Sequence, residues 1–220
     1  MYMQIDLNKS LEFFNPTCVT KKVHIIGCGA VGSHVAELLA RLGITNIHLW
    51  DDDKVSTHNI ANQNFVFEDC YRPKVEVVAE RIKAINPDCK VTIHNNRWVP
   101  RAMMTGYVFM CVDSIEPRKQ MCQFAKTNDL TIIDIRMGLT SGQYYIVPHD
   151  ALDIYAGTMN FTDEEADKYT PKSACNFELS VAYSIYALLG YMMSDVVDMW
   201  QNYPEYKQAV VDMQGGVTRF

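Results

Sequence analysis

A glycine-rich turn between an apolar strand and an apolar helix constrains the fold of this chain more than any other feature. The run Val23–Ile26 predicts a buried strand, and residues 31–42 repeat apolar side chains at helical spacing. Between them stand Gly27, Gly29 and Gly32, in the pattern G-x-G-x-x-G. A strand, a glycine turn and a helix in this order are typical of a nucleotide-binding α/β domain.

Each glycine of the turn has its own physical role. Gly27 permits a tight turn, Gly29 lets a phosphate approach the backbone, and Gly32 lets the helix pack close to the sheet. The first N–H groups of the helix, at Ala30 and Val31, offer a partial positive charge to an anion. The turn therefore predicts a phosphate site, and its flanks argue against a turn that serves only packing.

Three carboxylates follow the second apolar run, which covers residues 44–50. The first of them, Asp51, stands where a nucleotide fold places the acid that accepts hydrogen bonds from the ribose hydroxyls. We therefore interpret Asp51 as a ribose ligand. Asp52 and Asp53 are also compatible with a solvated acidic turn.

Strands alternate with helices along the rest of the chain. Further buried strands are predicted at 107–112 and 130–135, and helices at 74–82, 116–128 and 177–200. This order predicts an α/β fold with a Rossmann-like, mostly parallel sheet and helices on both faces. We expect an N-terminal extension at 1–20, an acidic loop at 148–172 and a C-terminal tail at 201–220.

Composition narrows the class of protein. The net charge of −6 argues against a nucleic-acid partner that is bound through phosphate neutralisation. The number of cysteines, seven, is odd and none forms C-x-x-C, so we expect reduced thiols in a cytoplasmic protein. No secretory signal is expected at the start. The apolar segment 179–193 is shorter than the ~20 residues that cross a bilayer, so no membrane partner is expected.

Five short motifs then occur in one order along the chain. They are D-x-D-x-V-x-x-x-N-I-x-N-Q at 51–63, R-P-K-V at 72–75, I-N-P at 85–87, C-V-D-S at 111–114 and S-A-C at 173–175. Over about residues 22–200 this series resembles the ThiF/MoeB family, which includes the adenylation domains of ubiquitin-activating enzymes. The resemblance is more specific than the glycine turn alone.

The resemblance implies a ThiF/MoeB-like adenylation domain at 21–200, with the C-terminal strands and helix of that family. It implies an ATP-dependent adenylyltransferase that uses ATP and Mg²⁺. The substrate would be the C-terminal carboxylate of a small ubiquitin-like or sulfur-carrier protein. It also implies a homodimer.

The resemblance also implies roles for individual residues. Asp51 would hold the ribose, Asn59 and Lys74 would hold the triphosphate, and Asp113 would ligate Mg²⁺. These roles suit a carboxylate at a strand end, a compact lysine charge and a hard cation that prefers oxygen. Asp113 is also compatible with an ordinary strand-end cap. The remaining implied nucleotide-site residues are Gly27, Gly29, Ala30, Val31, Gly32, Asp53 and Gln63.

The chain departs from the family pattern in its arginines and cysteines. Asn62 stands where the family has an Arg, and no Arg precedes Arg41. Our candidates to supply the missing charge are Arg72 and Arg136, although an ion pair of Arg136 with Asp134 or with the acidic loop is an equal alternative. The paired C-x-x-C ligands of the family are absent, so no zinc is expected.

Cys175 leaves two interpretations open. It follows the acidic loop and precedes a helix, whose N-terminus favours a reactive thiolate, so a covalent or persulfide role competes equally with packing. Two other functions also stay open. An NAD(P)-dependent oxidoreductase would share the glycine turn and the acid but would not require Lys74 and Asp113. A non-catalytic ATP-binding relative would be consistent with the lost arginines.

Overall fold

An eight-stranded sheet forms the centre of this computed structural model, which describes residues 4–100, 104–168 and 180–220. Its strands are Val23–Ile26 (β1), Asn46–Trp50 (β2), Lys90–His94 (β3), Gly106–Met110 (β4), Leu130–Met137 (β5), Ser141–Val147 (β6), Lys207–Asp212 (β7) and Gly216–Arg219 (β8). They follow the spatial order β3-β2-β1-β4-β5-β6-β7-β8.

The first five strands in this order are parallel, and β6, β7 and β8 join them in antiparallel pairs. β1 lies in the middle of the parallel part, where Val23 pairs with Ile47 of β2 on one side and with Tyr107 of β4 on the other. The chain therefore reverses its direction of travel across the sheet between β1 and β4. In open α/β sheets, ligands bind at this reversal, beyond the carboxyl ends of the strands.

Helices cover both faces of the sheet, and this confirms the predicted fold class. The helices are Ala30–Arg41 (α1), Lys74–Ile85 (α2), Glu116–Ala125 (α3), Leu152–Gly157 (α4), Asp163–Asp167 (α5) and Ala182–Gln201 (α6). α1, α2 and α6 share one apolar core with the sheet, and α3 and α4 share a second core on the opposite face. Among the described residues, no helix is both long and apolar enough to cross a membrane.

Two segments have more regular structure than the sequence predicts. The expected tail contains β7 and β8, and its side chains Ala209 and Val211 are buried in the first core. The described part of the expected acidic loop contains α4 and α5. In α4, the side chains of Leu152 and Tyr155 are buried. In both segments a few buried apolar side chains stabilise the regular structure. They stand among polar residues, so the sequence pattern does not reveal them.

Candidate nucleotide-binding site

The glycine turn packs directly against the end of β4. Gly27 has a φ of +91°, and a Cβ on it would lie 2.7 Å from the carbonyl oxygen of Cys111. A Cβ on Gly32 would lie only 1.8 Å from the carbonyl oxygen of Gly27. Both positions therefore require glycine, one because of its backbone angle and its neighbour, the other because α1 passes so close to the turn.

The start of α1 has room for an anion. Gly29 is the N-cap and supplies no side-chain cap, so the first N–H groups of the helix, at Ala30 and Val31, have no cap from this residue. A Cβ on Gly29 would meet a single atom within 4 Å, the Oε1 of Gln63 at 3.9 Å. This open space beside an uncapped helix end fits a phosphate group.

Asp51 ties the turn to the end of β2. Its Oδ2 accepts a hydrogen bond from the backbone N–H of Cys28 at 2.7 Å, and its Oδ1 accepts one from the N–H of Asp53 at 2.8 Å. Burial raises the pKa of the Asp51 carboxyl above its ordinary value, while these two N–H groups oppose that shift. The carboxylate is thus held in place by backbone donors on both sides.

Lys74 begins α2 and carries a nearly buried ammonium, with 7% of the residue exposed. Its Nζ lies 2.9 Å from Oδ2 of Asp53, and its backbone N–H donates to the carbonyl oxygen of Asp53 at the same distance. Asp52 instead pairs with Arg97 at the surface, at 3.1 Å. Both carboxylates are exposed, as in a solvated acidic turn, and Asp53 in addition pairs with Lys74.

The loop between β2 and α2 carries amide side chains, and one of them, Gln63, lies beside the turn. Asn59 is buried, and its Oδ1 accepts hydrogen bonds from the N–H of Ser56 at 2.9 Å and from the Ser56 hydroxyl at 3.0 Å. The Oε1 of Gln63 and the Oδ1 of Asn62 are buried without a hydrogen-bond partner within the described ranges. Buried acceptors of this kind are normally satisfied, and an ionised phosphate has no hydrogen-bond donor for them, so these two oxygens do not support the phosphate site.

Asp113 lies on the loop after β4, at the same edge of the sheet. The N–H of Cys111 donates to the carbonyl oxygen of Ile26 at 2.8 Å, which extends the β1–β4 pairing into this loop. The carboxylate of Asp113 is exposed. The turn, Asp51 and Asp113 thus follow the carboxyl ends of three neighbouring strands, and these residues fit a nucleotide with a bound divalent cation.

Comparison with models of known protein families identifies the family of this chain. The model of the ThiF family matches residues 17–216. The chain belongs to the ThiF family. The resemblance seen in the sequence motifs is thereby confirmed.

Individual ThiF relatives cover less of the chain. The tRNA threonylcarbamoyladenosine dehydratase of Escherichia coli K12 is 35% identical over 132 residues, which cover 57% of this chain and 48% of that protein. Ubiquitin-like modifier-activating enzyme 5 of Caenorhabditis elegans is 36% identical over 120 residues, 44% of this chain and 27% of that protein. The chain therefore spans less than half the length of these curated relatives.

Solved structures share the fold at lower identity. PaaA superposes with a TM-score of 0.72 at 17% identity, over 100% of this chain and 76% of its own. MccB of E. coli, solved with ATP, superposes with a TM-score of 0.68 at 17% identity, over 93% of this chain and 65% of its own. At this identity the likeness shows the ThiF fold alone.

Two buried charged residues lie beside the Asp113 loop, and neither of them is predicted as a site residue from the sequence. Arg118 on α3 donates to the carbonyl oxygens of Val112 and Ser114, both at 2.6 Å, on either side of Asp113. Its Nε lies 2.7 Å from Oδ1 of Asp134, which is fully buried on β5. One feature of the sequence could have indicated Arg118. It stands on the same face of α3 as Met121 and Cys122, where an apolar residue is expected.

The two arginines proposed to supply charge lie in different environments. Arg136 donates to Oδ2 of Asp134 at 2.6 Å and to the carbonyl oxygen and hydroxyl of Thr158, and it lies over the ring of Tyr145. The structure therefore favours the ion-pair alternative for Arg136. Arg72 pairs with Glu80 on the exposed side of α2 and lies two residues before Lys74. Cys175, the remaining candidate, lies outside the described residues.

Proposed function

We propose that this chain is an ATP-dependent adenylyltransferase that activates the C-terminal carboxylate of a small ubiquitin-like or sulfur-carrier protein. The observation that carries the proposal is the meeting of the glycine turn, Asp51, Lys74 and the Asp113 loop at one edge of the sheet. Membership of the ThiF family and the fold shared with MccB, which was solved with ATP, support it.

The proposed roles follow the position of each group. The start of α1, Asn59 and Lys74 hold the triphosphate, and Asp51 holds the ribose, as its place at the end of β2 favours. Asp113 ligates Mg²⁺, whose charge offsets that of the phosphates. Asp53 orients Lys74 through their 2.9 Å ion pair, and Gln63 lines the space beside Gly29.

The proposed reaction asks little covalent chemistry of the protein. A carboxylate oxygen of the partner forms a bond to the α-phosphorus of ATP, and the bond between that phosphorus and the pyrophosphate oxygen breaks. The chain contributes positioning and fixed positive charge, which are strong effects in phosphoryl and nucleotidyl transfer. Arg72 is our candidate for additional charge in place of the family arginine that Asn62 replaces, because its guanidinium is partly exposed.

A protein carboxylate suits this chain better than a nucleic acid. The net charge of −6 opposes binding of a polyanion. MccB, which shares the fold, was solved with MccA, and a C. elegans relative is named for activating a ubiquitin-like modifier. The name of the E. coli relative includes tRNA, so RNA is the alternative substrate that the test must include.

We further propose a homodimer in the cytoplasm. α6 exposes the side chains of Tyr183, Tyr186 and Tyr191 along one side. Large rings that remain exposed on one helix face are typical of a surface that a partner covers. Light scattering at micromolar concentration should give twice the mass of the chain, and a monomeric mass would contradict this part of the proposal.

Exchange of labelled pyrophosphate into ATP tests the function. We expect exchange that requires Mg²⁺ and a candidate carrier with a free C-terminal carboxylate. The same carrier with an amidated C-terminus is the matched control and should support no exchange. Exchange with RNA instead of a carrier would replace the proposed substrate.

Calorimetry with ATP and with NAD separates the remaining alternatives. Binding of Mg·ATP without exchange for any carrier would indicate a non-catalytic relative. Tight binding of NAD without binding of ATP would indicate an oxidoreductase and would reject the proposal.

A further inference from the structure

We propose that Arg118 is a positioning residue for Asp113. Its buried guanidinium fixes the peptide carbonyls on both sides of Asp113 and so determines where this carboxylate stands at the nucleotide site. The inference rests on the proposed function, in which Asp113 ligates the divalent cation of the bound nucleotide.

The contacts of Arg118 enclose the Asp113 loop. Nη2 donates to the carbonyl oxygen of Val112 and Nη1 to that of Ser114, both at 2.6 Å. These are the residues immediately before and after Asp113. A guanidinium holds its donors in a rigid planar fork, so two bonds from one group fix the relative position of the two carbonyls.

The sheet in turn fixes Arg118. Its Nε donates to Oδ1 of Asp134 at 2.7 Å, and Nη2 also donates to the carbonyl oxygen of Ile135 at 3.0 Å. Both acceptors belong to β5, which pairs with β4 over residues 130–134. Arg118 is 4% exposed and Asp134 is 0% exposed. The loop that carries Asp113 is thus anchored to a buried strand and not only to its own backbone.

The anchoring matters because a Mg²⁺ ligand tolerates little displacement. Mg²⁺ requires near-ideal octahedral geometry, and metal–ligand distances hold within about 0.2 Å. The carboxylate of Asp113 is exposed, so its own surroundings do not fix it. Its position depends on the backbone of 112–114, and two of the carbonyls there are held by Arg118.

Arg136 provides a matched control for this role. It pairs with the other oxygen of Asp134 at 2.6 Å, but its further hydrogen bonds go to Thr158 and not to 112–114. In both Arg118→Lys and Arg136→Lys, a charged partner of Asp134 is kept and the fork is lost. A lysine at 118 has three donors on one nitrogen, so it cannot serve the four acceptors that the separate nitrogens of Arg118 reach.

The experiment measures the affinity of the ATP-loaded protein for Mn²⁺ by electron paramagnetic resonance, together with the Mg²⁺ concentration that gives half-maximal pyrophosphate exchange. We expect Arg118→Lys to weaken Mn²⁺ binding and to raise the Mg²⁺ requirement at least tenfold. The KM for ATP at saturating Mg²⁺ should change less than threefold. Arg136→Lys should shift the metal requirement less than threefold, whatever it does to stability.

Three outcomes would overturn the assignment of Arg118. They are an unchanged metal affinity in folded Arg118→Lys, an equal shift in Arg118→Lys and Arg136→Lys, and a loss of ATP affinity as large as the loss of metal affinity. If Arg118→Lys does not fold, Arg118→Gln is the second variant; it leaves Asp134 paired with Arg136 and is expected to show the same tenfold shift.

Asp113→Asn separates failure of this inference from failure of the proposed function. If Asp113→Asn loses Mn²⁺ affinity and Arg118→Lys does not, only the positioning role is rejected. If Asp113→Asn binds Mn²⁺ as tightly as the unmodified chain, the metal site of the proposed function is rejected, and the role of Arg118 is rejected with it.

Discussion

The candidate site has two sides that are held in place by different means. The glycine side comprises the turn at 27–32, Asp51 and Lys74, and it is fixed mainly by backbone geometry and backbone hydrogen bonds. The arginine side comprises the Asp113 loop, Arg118 and Asp134, and it is fixed by buried charged side chains. One site thus combines a steric constraint with an electrostatic one.

The two sides are expected to fail differently. A substitution on the glycine side adds atoms where the backbone leaves no room, so its cost is steric. A substitution on the arginine side leaves a buried charge without its partner, so its cost is electrostatic.

Asp113→Asn should reduce pyrophosphate exchange by about 10³-fold, the range measured for loss of one preorganised electrostatic group, because the cation loses a charged ligand. The fold should remain intact, since the carboxylate is exposed. Asp88→Asn makes the same charge change at another exposed site and should leave exchange unchanged. Undiminished exchange in Asp113→Asn would mean that the arginine side positions nothing catalytic.

Asp134→Ala should lower the free energy of unfolding by about 3–5 kcal/mol, because it leaves two guanidinium groups buried without their carboxylate. Urea denaturation measures this loss. The control is Asp129→Ala, which breaks a 2.7 Å pair with Lys21 between exposed side chains and should cost at most about 1 kcal/mol. Equal losses of unfolding free energy in the two variants would show that burial does not make the ion pairs of Asp134 more costly to break than an exposed pair.

Gly32→Ala should lower the free energy of unfolding by about 2–3 kcal/mol, because the new methyl group meets the carbonyl oxygen of Gly27. Gly190→Ala is the matched change in another helix, and a Cβ there meets nothing within 4 Å. That variant should gain about 0.5–1 kcal/mol from helix propensity. The same sign in both variants would contradict a steric constraint at the turn.

The two sides also differ in how far sequence predicts them. Gly27, Gly32 and Asp51 follow from spacing, since a turn and the strand end beside it impose local constraints on residue type. Arg118 and Asp134 do not follow from spacing, because they are 16 residues apart and meet only through the register and the face of β5.

Strand geometry explains an intermediate case. The pairing of Arg136 with Asp134 was predictable as an alternative, since residues two apart in a strand point to the same face. β7 is not predictable in the expected tail, because its pairing with β6 joins residues 61 to 71 positions apart, and β8 then pairs with β7. Local steric rules are therefore readable from one sequence, whereas distant pairings require the fold.

Tyr71 lies three residues before Lys74, on the loop that leads into the glycine side. It has a φ of +72°, which favours glycine, and it is 79% exposed. The backbone around it is fixed, because its N–H donates to the carbonyl oxygen of Val55 at 2.8 Å and Val55 donates to that of Arg72 at 2.9 Å. A residue with a Cβ in this conformation is strained by about 1–2 kcal/mol. Glycine removes this strain, but it also gives the unfolded chain more conformational entropy, which cancels part of the gain in stability.

Tyr71→Gly should therefore be more stable than Tyr71→Ala by about 0.5–1 kcal/mol, because alanine keeps the Cβ that causes the strain. Tyr203, which is 89% exposed and lacks a positive φ, is the matched position, and there glycine should be the less stable of the two. Urea denaturation of the four variants measures both differences. If the stability difference between glycine and alanine has opposite signs at 71 and 203, the effect comes from the backbone angle and not from the loss of the tyrosine ring. If glycine is the less stable residue at both positions, the backbone at 71 is not strained, and backbone geometry constrains the glycine side only at the turn itself.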